Sequence, residues 1–217
     1  YQAQELLRAY DLPAAATAMA TTSTEAAEAA ERIGYPVVLK VASPDISHKS
    51  DVGGVRVKLQ SAEEVRQAFL EITSQAKYHE PEAFIHGCLV QEMAPGGMKE
   101  IIVGFNRDDQ FGPLLMFGLG GIHVEVLRDI SFKLAPISRS QASEMVRSIK
   151  SYMLLKGVRG EAGVNIRAIE DILVRVSQLA MDFPDIVEAD LNPVLVDENR
   201  AIVADVRLTL HMPHTES

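Results

Sequence analysis

Cysteine is almost absent from this chain of 217 residues, since Cys88 is its only one. No internal disulfide is therefore possible, and a reducing cytoplasmic setting is the expected location. Basic residues are also scarce, with 21 Lys and Arg against 30 Asp and Glu, a net charge of -9 and a pI near 5.2. This balance argues against a nucleic-acid partner or an anionic membrane surface. It does not exclude phosphate binding, which depends on local amides and a few cations.

The sequence also lacks an apolar run long enough to span a membrane and a visible signal peptide. No apolar run approaches the roughly eighteen residues that a membrane-spanning helix needs, so no membrane association is expected. No signal peptide is visible and the chain does not begin with Met, which indicates a fragment, a processed subunit or a trimmed chain.

What is present is typical of a well-cored globular protein: 47% apolar residues and 24% charged residues. The length allows one large domain or two small ones. Strand-like and helix-like segments alternate in an order that predicts an α+β or α/β fold. Strands are predicted at VVLKVA, VRVKL, LVQEM, EIIVGF, PLLMF, IVEADL and AIVADVRL, and an internal boundary near residues 89–97, where Pro-Gly-Gly follows a strand.

Lys40 lies inside the strand VVLKVA, among Val and Leu neighbours. If the strand lies at a sheet edge, its lysine faces solvent. The apolar neighbours favour a central strand, in which a lysine needs an anion, and a nucleotide phosphate would neutralise it.

The segment SHKSDVGG follows that strand and brings His48, Lys49 and Ser50 next to Gly53 and Gly54. Glycines let backbone N–H groups approach phosphate oxygens, while Ser and Lys add a donor and a charge. A plain hairpin turn ending in Gly-Gly is the alternative. The crowding of His48 and Lys49 beside Lys40 favours a loop that covers phosphates.

EADLNP places oxygen ligands at alternate positions of a strand, so that Glu188, Asp190 and Asn192 share one face. Such a cluster suits a hard divalent cation such as Mg²⁺, and Asp205 can lie opposite Asn192 after a short turn. A solvated strand face is the alternative. At the strand end with Glu92 and Met93, an adenine contact and a surface strand end are equally open. Glu100 on its own is consistent with an exposed carboxylate at a strand end.

These segments together resemble one family. GYPVVLKVASPDISHKSDVGGV, VQEMAPGGMKEIIVGFNRDDQFGPLLMFGLGGIHVEVL, LLKGVRGE and EADLNPVLV look like the ATP-grasp domain of ADP-forming acyl-CoA synthetases, of the acetate–CoA ligase β subunit type. The resemblance runs from about residue 5 to residue 210, with a more distant likeness to the succinyl-CoA synthetase β subunit. It implies an ATP-grasp fold with two subdomains, over residues 1–94 and 95–210, a nucleotide in the cleft between them, and a frayed tail at 211–217.

The resemblance also implies roles for individual positions. ATP or ADP and Mg²⁺ are the implied cofactors, and His48 matches a histidine that carries phosphate between subunits. The implied metal ligands are Asn192, Asp205 and Asp190. The implied nucleotide-binding residues are Lys40, Ser50, Gly53, Gly54, Val55, Glu92, Met93 and Glu100. Two departures, at Asp109 and in GEAGVN, lie away from these positions.

The implied reaction is acyl-CoA + ADP + phosphate ⇌ acid + CoA + ATP. It requires a CoA-binding α subunit or a fused CoA-binding/ligase domain, because nothing in this chain resembles a CoA-binding module. The alternative is the ATP-grasp segment of a protein acetyltransferase, in which the synthetase-like part is regulatory. A stand-alone ATP-grasp carboxylate ligase is a third reading, and the acyl substrate stays open in all three.

Overall fold

The computed structural model describes residues 2–46, 49–121, 129–158, 160 and 162–211. Within them the chain forms two compact units. One comprises Ala15–Met93, and the other comprises Gln2–Ala14 together with the described residues from Ala94 onward.

The first unit is a four-stranded antiparallel sheet with two helices. Its strands are β1 (Thr17–Ala20), β2 (Val37–Ala42), β3 (Val55–Leu59) and β4 (Gly87–Glu92), and its helices are α2 (Ser23–Ile33) and α3 (Ala62–His79). The sheet order β1-β4-β2-β3 puts β2 between two neighbours. The prediction that Lys40 belongs to a central strand is therefore confirmed.

One face of this sheet forms the core of the unit. Val37, Leu39 and Val41 of β2 are fully buried and belong to one cluster with Ala26, Ala30, Ile72 and other residues of α2 and α3. Because side chains alternate along a strand, Val38, Lys40 and Ala42 lie on the opposite face, and each is half-buried. The described helices of the unit pack on the first face.

The second unit is built on a six-stranded antiparallel sheet. Its strands are β5 (Lys99–Asp108), β6 (Gly112–Leu119), β7 (Ile130–Leu134), β8 (Ile186–Val196), β9 (Ala201–Val203) and β10 (Val206–Leu210). The order is β10-β8-β5-β6-β7, with β9 also paired to β8. Its helices are α1 (Gln2–Ala9), α4 (Arg139–Ser148), α5 (Tyr152–Leu155) and α6 (Ile166–Asp182).

The core of the second unit again lies on one face of the sheet. Val103, Phe117 and Leu191 lie side by side across β5, β6 and β8 and are fully buried. They share a cluster with Leu7 of α1 and with Leu173 of α6. In the described part of the chain, no helix is long and apolar enough to cross a membrane.

Side chains cap both helices of the first unit. The Thr22 side chain accepts the Glu25 N–H at 3.2 Å and caps α2. Ser61 caps α3 by accepting the Glu64 N–H, and the Glu64 carboxylate accepts from Gln60 N. The predicted strand AIVADVRL is two strands, and β1 and β7 were not predicted.

The predicted subdomain of residues 1–94 also differs from the compact unit at its N-terminal end. α1 belongs to the second unit because Leu7 and Leu12 are buried in that unit's core cluster. The functional division into subdomains stays a prediction.

Candidate functional site

Lys40 occupies the middle of a row that crosses the first sheet. Its direct partners are Leu89 on β4 and Val55 on β3, and Met19 of β1 lies beyond Leu89. Residues paired across an antiparallel sheet point to the same face, so this row lies on the face away from α2 and α3. The structure therefore places Lys40 and Val55 side by side, as a joint role at phosphates requires.

The turn between β2 and β3 carries the predicted glycine loop. Gly54 N donates to Lys49 O at 2.7 Å, and Gly53 N donates to Ser50 O at 3.1 Å. Gly54 O in turn accepts from Val41 N at 2.7 Å. Both glycine amides thus form hydrogen bonds inside the turn, and a phosphate bound by them would replace those bonds.

Steric constraints require glycine at both positions. Gly53 has a φ of +65°, which L side chains rarely adopt. A Cβ on Gly54 would lie 2.6 Å from Val41 Cγ1 and 2.7 Å from Lys49 O. Packing alone therefore accounts for Gly54, and its role at phosphates stays a prediction. Ser50 is exposed, and His48 lies outside the described residues.

Glu92 ends β4, Met93 follows it directly, and both residues are half-buried. Glu92 N donates to Ala16 O at 2.8 Å, and Met93 N donates to Pro36 O at 3.3 Å. The backbone donors of both residues are therefore used within the first unit. A purine held here would have to use other groups, such as carbonyl oxygens or the Met93 side chain.

In the second unit, Glu100 is exposed at the start of β5. Its carbonyl accepts the Gly120 N–H at 2.7 Å, and a Cβ on Gly120 would lie 2.9 Å from Glu100 Cβ. The glycine turn of FGLGG therefore packs directly on Glu100. This close approach explains the glycine at position 120.

The acidic row of β8 lies beside β10 and β5. Glu188 faces Thr209, whose hydroxyl donates to Glu188 Oε2 at 3.1 Å. Asp190 faces Arg207 on one side and Gly104 on the other. The pairing puts Glu188 and Asp190 on the same face, as predicted, opposite to the core.

Asn192 interrupts that alternation. Ile101 pairs with Val194 and Val103 pairs with Leu191, so that Asn192 and Pro193 together oppose Ile102. This is a β-bulge, which bends a strand and re-aims a side chain. Asn192 is exposed, and its N–H donates to Asp205 O at 3.2 Å. The expected proximity of Asn192 and Asp205 is therefore confirmed, while their role as metal ligands stays a prediction.

The Asp190 side chain lies in an environment that disfavours its charged form. Its Oδ1 is buried and has no hydrogen-bond partner in the described part of the chain. Burial raises the pKa of this carboxyl, Glu188 and Asp205 raise it further, and Arg207 opposes them. A cation beside Asp190 would remove this penalty, so its carboxylate fits a divalent metal.

The donor set around that position is small. Among the described residues, no three His, Cys, Asp or Glu side chains form a ready metal cluster. The predicted ligands supply two carboxylates, those of Asp190 and Asp205, and the Asn192 amide, and Glu188 is a further carboxylate on β8. A cation with so few protein ligands needs further oxygens, which phosphates and water supply to Mg²⁺.

Gly104 was missed by the sequence analysis. A Cβ at this position would lie 2.4 Å from Ala189 O and 3.5 Å from the Asp190 Cα, so glycine lets β8 approach β5 closely. An isolated glycine inside an apolar strand is a known signal of such an approach. The structure thus gathers the predicted residues into two sets, one in each unit.

Comparisons with known proteins give a matching family model and several similar proteins. A family model described as an ATP-grasp domain matches residues 1–210. The chain is 47% identical over 209 residues to the β subunit of acetate–CoA ligase (ADP-forming) I from Pyrococcus furiosus, covering 96% of this chain and 90% of that protein. It is 52% identical over 205 residues to acetate–CoA ligase (ADP-forming) I from Archaeoglobus fulgidus, covering 94% of this chain.

The chain spans only 30% of the length of that Archaeoglobus ligase. Among solved structures, it is similar to an acetyl-coenzyme A synthetase 1 of Candidatus Korarchaeum cryptofilum, in complex with coenzyme A and Ca-AMPCP. The TM-score is 0.93 at 46% identity, with 96% of this chain and 91% of that chain covered. These relatives give the acetyltransferase alternative no support.

Proposed function

Because this chain belongs to the ATP-grasp family, in the type found in β subunits of ADP-forming acetate–CoA ligases, we propose that it is the nucleotide-binding part of an ADP-forming acyl-CoA synthetase. The expected ATP-grasp fold of the mixed α/β class is confirmed, and its sheets are antiparallel. The proposed reaction is acyl-CoA + ADP + phosphate ⇌ acid + CoA + ATP. A CoA-binding α subunit or fused domain supplies the CoA and acyl chemistry.

The step assigned to this chain is phosphoryl transfer between a histidine and ADP. The N–P bond of phosphorylated His48 breaks, an O–P bond forms at the β-phosphate of ADP, and neutral His48 and ATP result. In support, structures of the Korarchaeum synthetase are described with a phosphorylated phosphohistidine segment, and with that segment pointing towards the nucleotide binding site in the presence of Mg-AMPPCP.

Two groups of residues are proposed to hold the nucleotide in the first unit. The Lys40 ammonium would contact the phosphates, together with Ser50 and the backbone at Gly53, Gly54 and Val55. Glu92 and Met93 would hold the base. The position of Lys40 on a central strand, on the face away from α2 and α3 and paired with Val55, supports this assignment.

In the second unit, Glu100 is proposed to contact the nucleotide, and Asp190, Asn192 and Asp205 are proposed to bind Mg²⁺. When bound, Mg²⁺ would neutralise phosphate charge. The observation that carries this proposal is the buried Asp190 Oδ1 without a hydrogen-bond partner in the described residues, next to a bulge that presents Asn192. The three side chains would hold the cation through oxygen atoms.

Calorimetry with Mg-ADP tests the nucleotide site. The wild-type chain should bind, and Asn192→Ala and Asp205→Ala should each weaken the Mg²⁺-dependent part of the affinity by about tenfold or more. Asn199→Ala, an exposed amide in the β8–β9 turn, is the matched control and should bind as wild type. A folded chain that gives no heat with Mg-ADP, or unchanged Mg²⁺ dependence in both variants, would contradict the proposal.

The histidine step needs the CoA-binding partner. His48→Ala and His48→Asn should retain the fold and most of the affinity for Mg-ADP. Both should cut ATP formation by orders of magnitude, because neither side chain can carry the phosphoryl group on an imidazole nitrogen. Turnover close to wild type in both variants would end the assignment of His48.

A further inference from the structure

The Arg56 side chain forms hydrogen bonds with the glycine loop of the first unit and with α3. Its Nη1 donates to Gly53 O and to Val55 O, both at 3.0 Å. Its Nη2 donates to Gln75 Oε1 at 3.2 Å. One guanidinium thus joins a carbonyl of the β2–β3 turn and the first carbonyl of β3 to a side chain on α3.

The contact between the turn and α3 is also steric. A Cβ on Gly53 would lie 2.3 Å from Gln75 Oε1, so the Gln75 amide lies directly against the Gly53 backbone. The Arg56 side chain is 32% exposed and half-buried under the turn. Its ion pair with Glu71 is long, at 3.7 Å, and partly exposed, so it contributes little. The hydrogen bonds to the two carbonyls and to Gln75 hold the geometry.

Because the peptide bond is planar, the hydrogen bond to Gly53 O also constrains the Gly54 N–H. Gly53 O and Gly54 N–H belong to one planar trans peptide and point in opposite directions. Because Arg56 holds Gly53 O, it also fixes the direction of the Gly54 N–H, which here donates to Lys49 O at 2.7 Å. The amide predicted to meet phosphate is therefore oriented by a side chain two residues further along the chain.

We propose that Arg56 is a positioning residue of the nucleotide site: it orients the Gly53–Gly54 peptide, and Gln75 holds Arg56 in place. The proposal rests on the proposed function of the glycine loop at nucleotide phosphates. Lysine cannot reproduce the role, because an ammonium on a flexible stem lacks the planar fork that reaches two carbonyls and Gln75 together.

Three variants and one control test this inference in the chain with its CoA-binding partner supplied. Arg56→Met removes the donors, Arg56→Lys keeps the charge, and Gln75→Ala removes the support from α3 without changing charge. Arg66→Met is the control, since Arg66 lies on α3 like Gln75 and forms an exposed i,i+3 ion pair with Glu63.

The first measurement is amide hydrogen exchange at Gly54 by NMR, which does not depend on any ligand. Arg56→Met should accelerate this exchange by about tenfold or more, since a charge-assisted hydrogen bond is lost. Exchange at Val90, in the centre of the sheet, should not change. Equal Gly54 exchange in wild type and Arg56→Met would overturn the proposal.

The second measurement is the pair of KM values for ADP and for acyl-CoA. Arg56→Met should raise KM for ADP by about tenfold and leave KM for acyl-CoA unchanged, a split that general destabilisation does not produce. Arg56→Lys should restore only part of this loss. The effects of Arg56→Met and Gln75→Ala should be less than additive, because the two side chains act as one unit. Full restoration by lysine, or full additivity, would overturn the proposal.

The two proposals fail in different ways. A wild-type chain that binds no Mg-ADP removes the proposed function and this inference with it. Normal Mg-ADP binding by wild type and by Arg56→Met alike leaves the proposed function standing and overturns this inference alone.

Discussion

Replacing Gly104 with alanine tests how β5 supports the acidic row of β8. Gly104 is buried in the middle of β5, directly opposite Asp190. The added Cβ would lie 2.4 Å from Ala189 O. An ordinary contact needs about 3.4 Å, so the two strands would have to separate locally by about 1 Å.

The cost follows from that separation. Overpacking of a filled interior typically costs 1–3 kcal/mol, and a stretched β5–β8 ladder adds the partial loss of a backbone hydrogen bond, about 1 kcal/mol. We therefore expect Gly104→Ala to lower the free energy of unfolding by about 3 kcal/mol, which corresponds to a Tm lower by about 6–12 °C at this chain length. Because relief of the 2.4 Å contact with Ala189 O has to displace β8 next to Asp190, the affinity for Mg-ADP should fall as well.

Scanning calorimetry of a graded glycine series checks this magnitude. A Cβ on Gly96 meets nothing within 4 Å, and one on Gly118 would approach Asp129 O to 3.1 Å. The order of Tm should be Gly96→Ala at or above wild type, then Gly118→Ala, then Gly104→Ala. A Tm of the Gly104→Ala chain within about 2 °C of the wild-type Tm would refute the reasoning, since β8 would then shift without an energetic cost.

Three further changes have defined outcomes. Asp190→Asn should stabilise the metal-free chain at pH 7, because the pKa of Asp190 is raised in the folded state and its charged form therefore destabilises that state above the raised pKa. The gain in the free energy of unfolding, measured with urea, should vanish as the pH falls towards about 4, the pKa of Asp in the unfolded chain. Arg107→Met should cost about 2–4 kcal/mol in the same assay, since this guanidinium binds three carbonyls at and just beyond the C-terminal end of α6, whereas exposed Arg167→Met should not. Cys88 should react with a disulfide reagent only on unfolding, because burial raises the pKa of its thiol to about 12, and rapid labelling of the native chain would contradict this.

The helices and the central strand could be predicted from the sequence because their signals are local. Ser61 stands before an amphipathic run and caps α3, and Val37, Leu39 and Val41 alternate with half-buried residues along β2. β1 could not be predicted, because Thr17–Ala20 is a short alanine-rich strand that only pairing with β4 defines. Tertiary pairing, rather than propensity, decides such a strand.

The extent of β8 was missed for a different reason. Pro193 reads as a break, since proline cannot donate to a ladder. The strand continues to Val196 because Pro193 lies in the bulge, where Val194 resumes pairing with Ile101. Sequence alone predicted the acidic residues on one face, yet the bulge that exposes Asn192 depends on the register with β5.

The hydrogen bonds of Arg56 could not be predicted from the sequence either. Arg56 and Gln75 are 19 residues apart and meet only because α3 packs on β2 and β3. The sequence position of an arginine near the start of a strand does not indicate which carbonyl its side chain will bind. By contrast, Gly104 had a readable signal, since a lone glycine in the apolar strand EIIVGF indicates a close approach by another backbone.

The location of the candidate residues follows from how each unit buries its sheet. A sheet with helices on one face has to fill that face with apolar side chains, as Leu39 and Leu191 do within their respective units. Charged or hydrogen-bonding side chains on these strands are then confined to the other face, where Lys40 and Asp190 lie. On that face they are partly desolvated by neighbouring strands without being sealed into a core, and Asp190 Oδ1 is buried with no hydrogen-bond partner among the described residues. An apolar replacement such as Asp190→Leu should therefore stabilise the sheet and abolish metal-dependent binding together, whereas a purely structural carboxylate would lose stability when replaced.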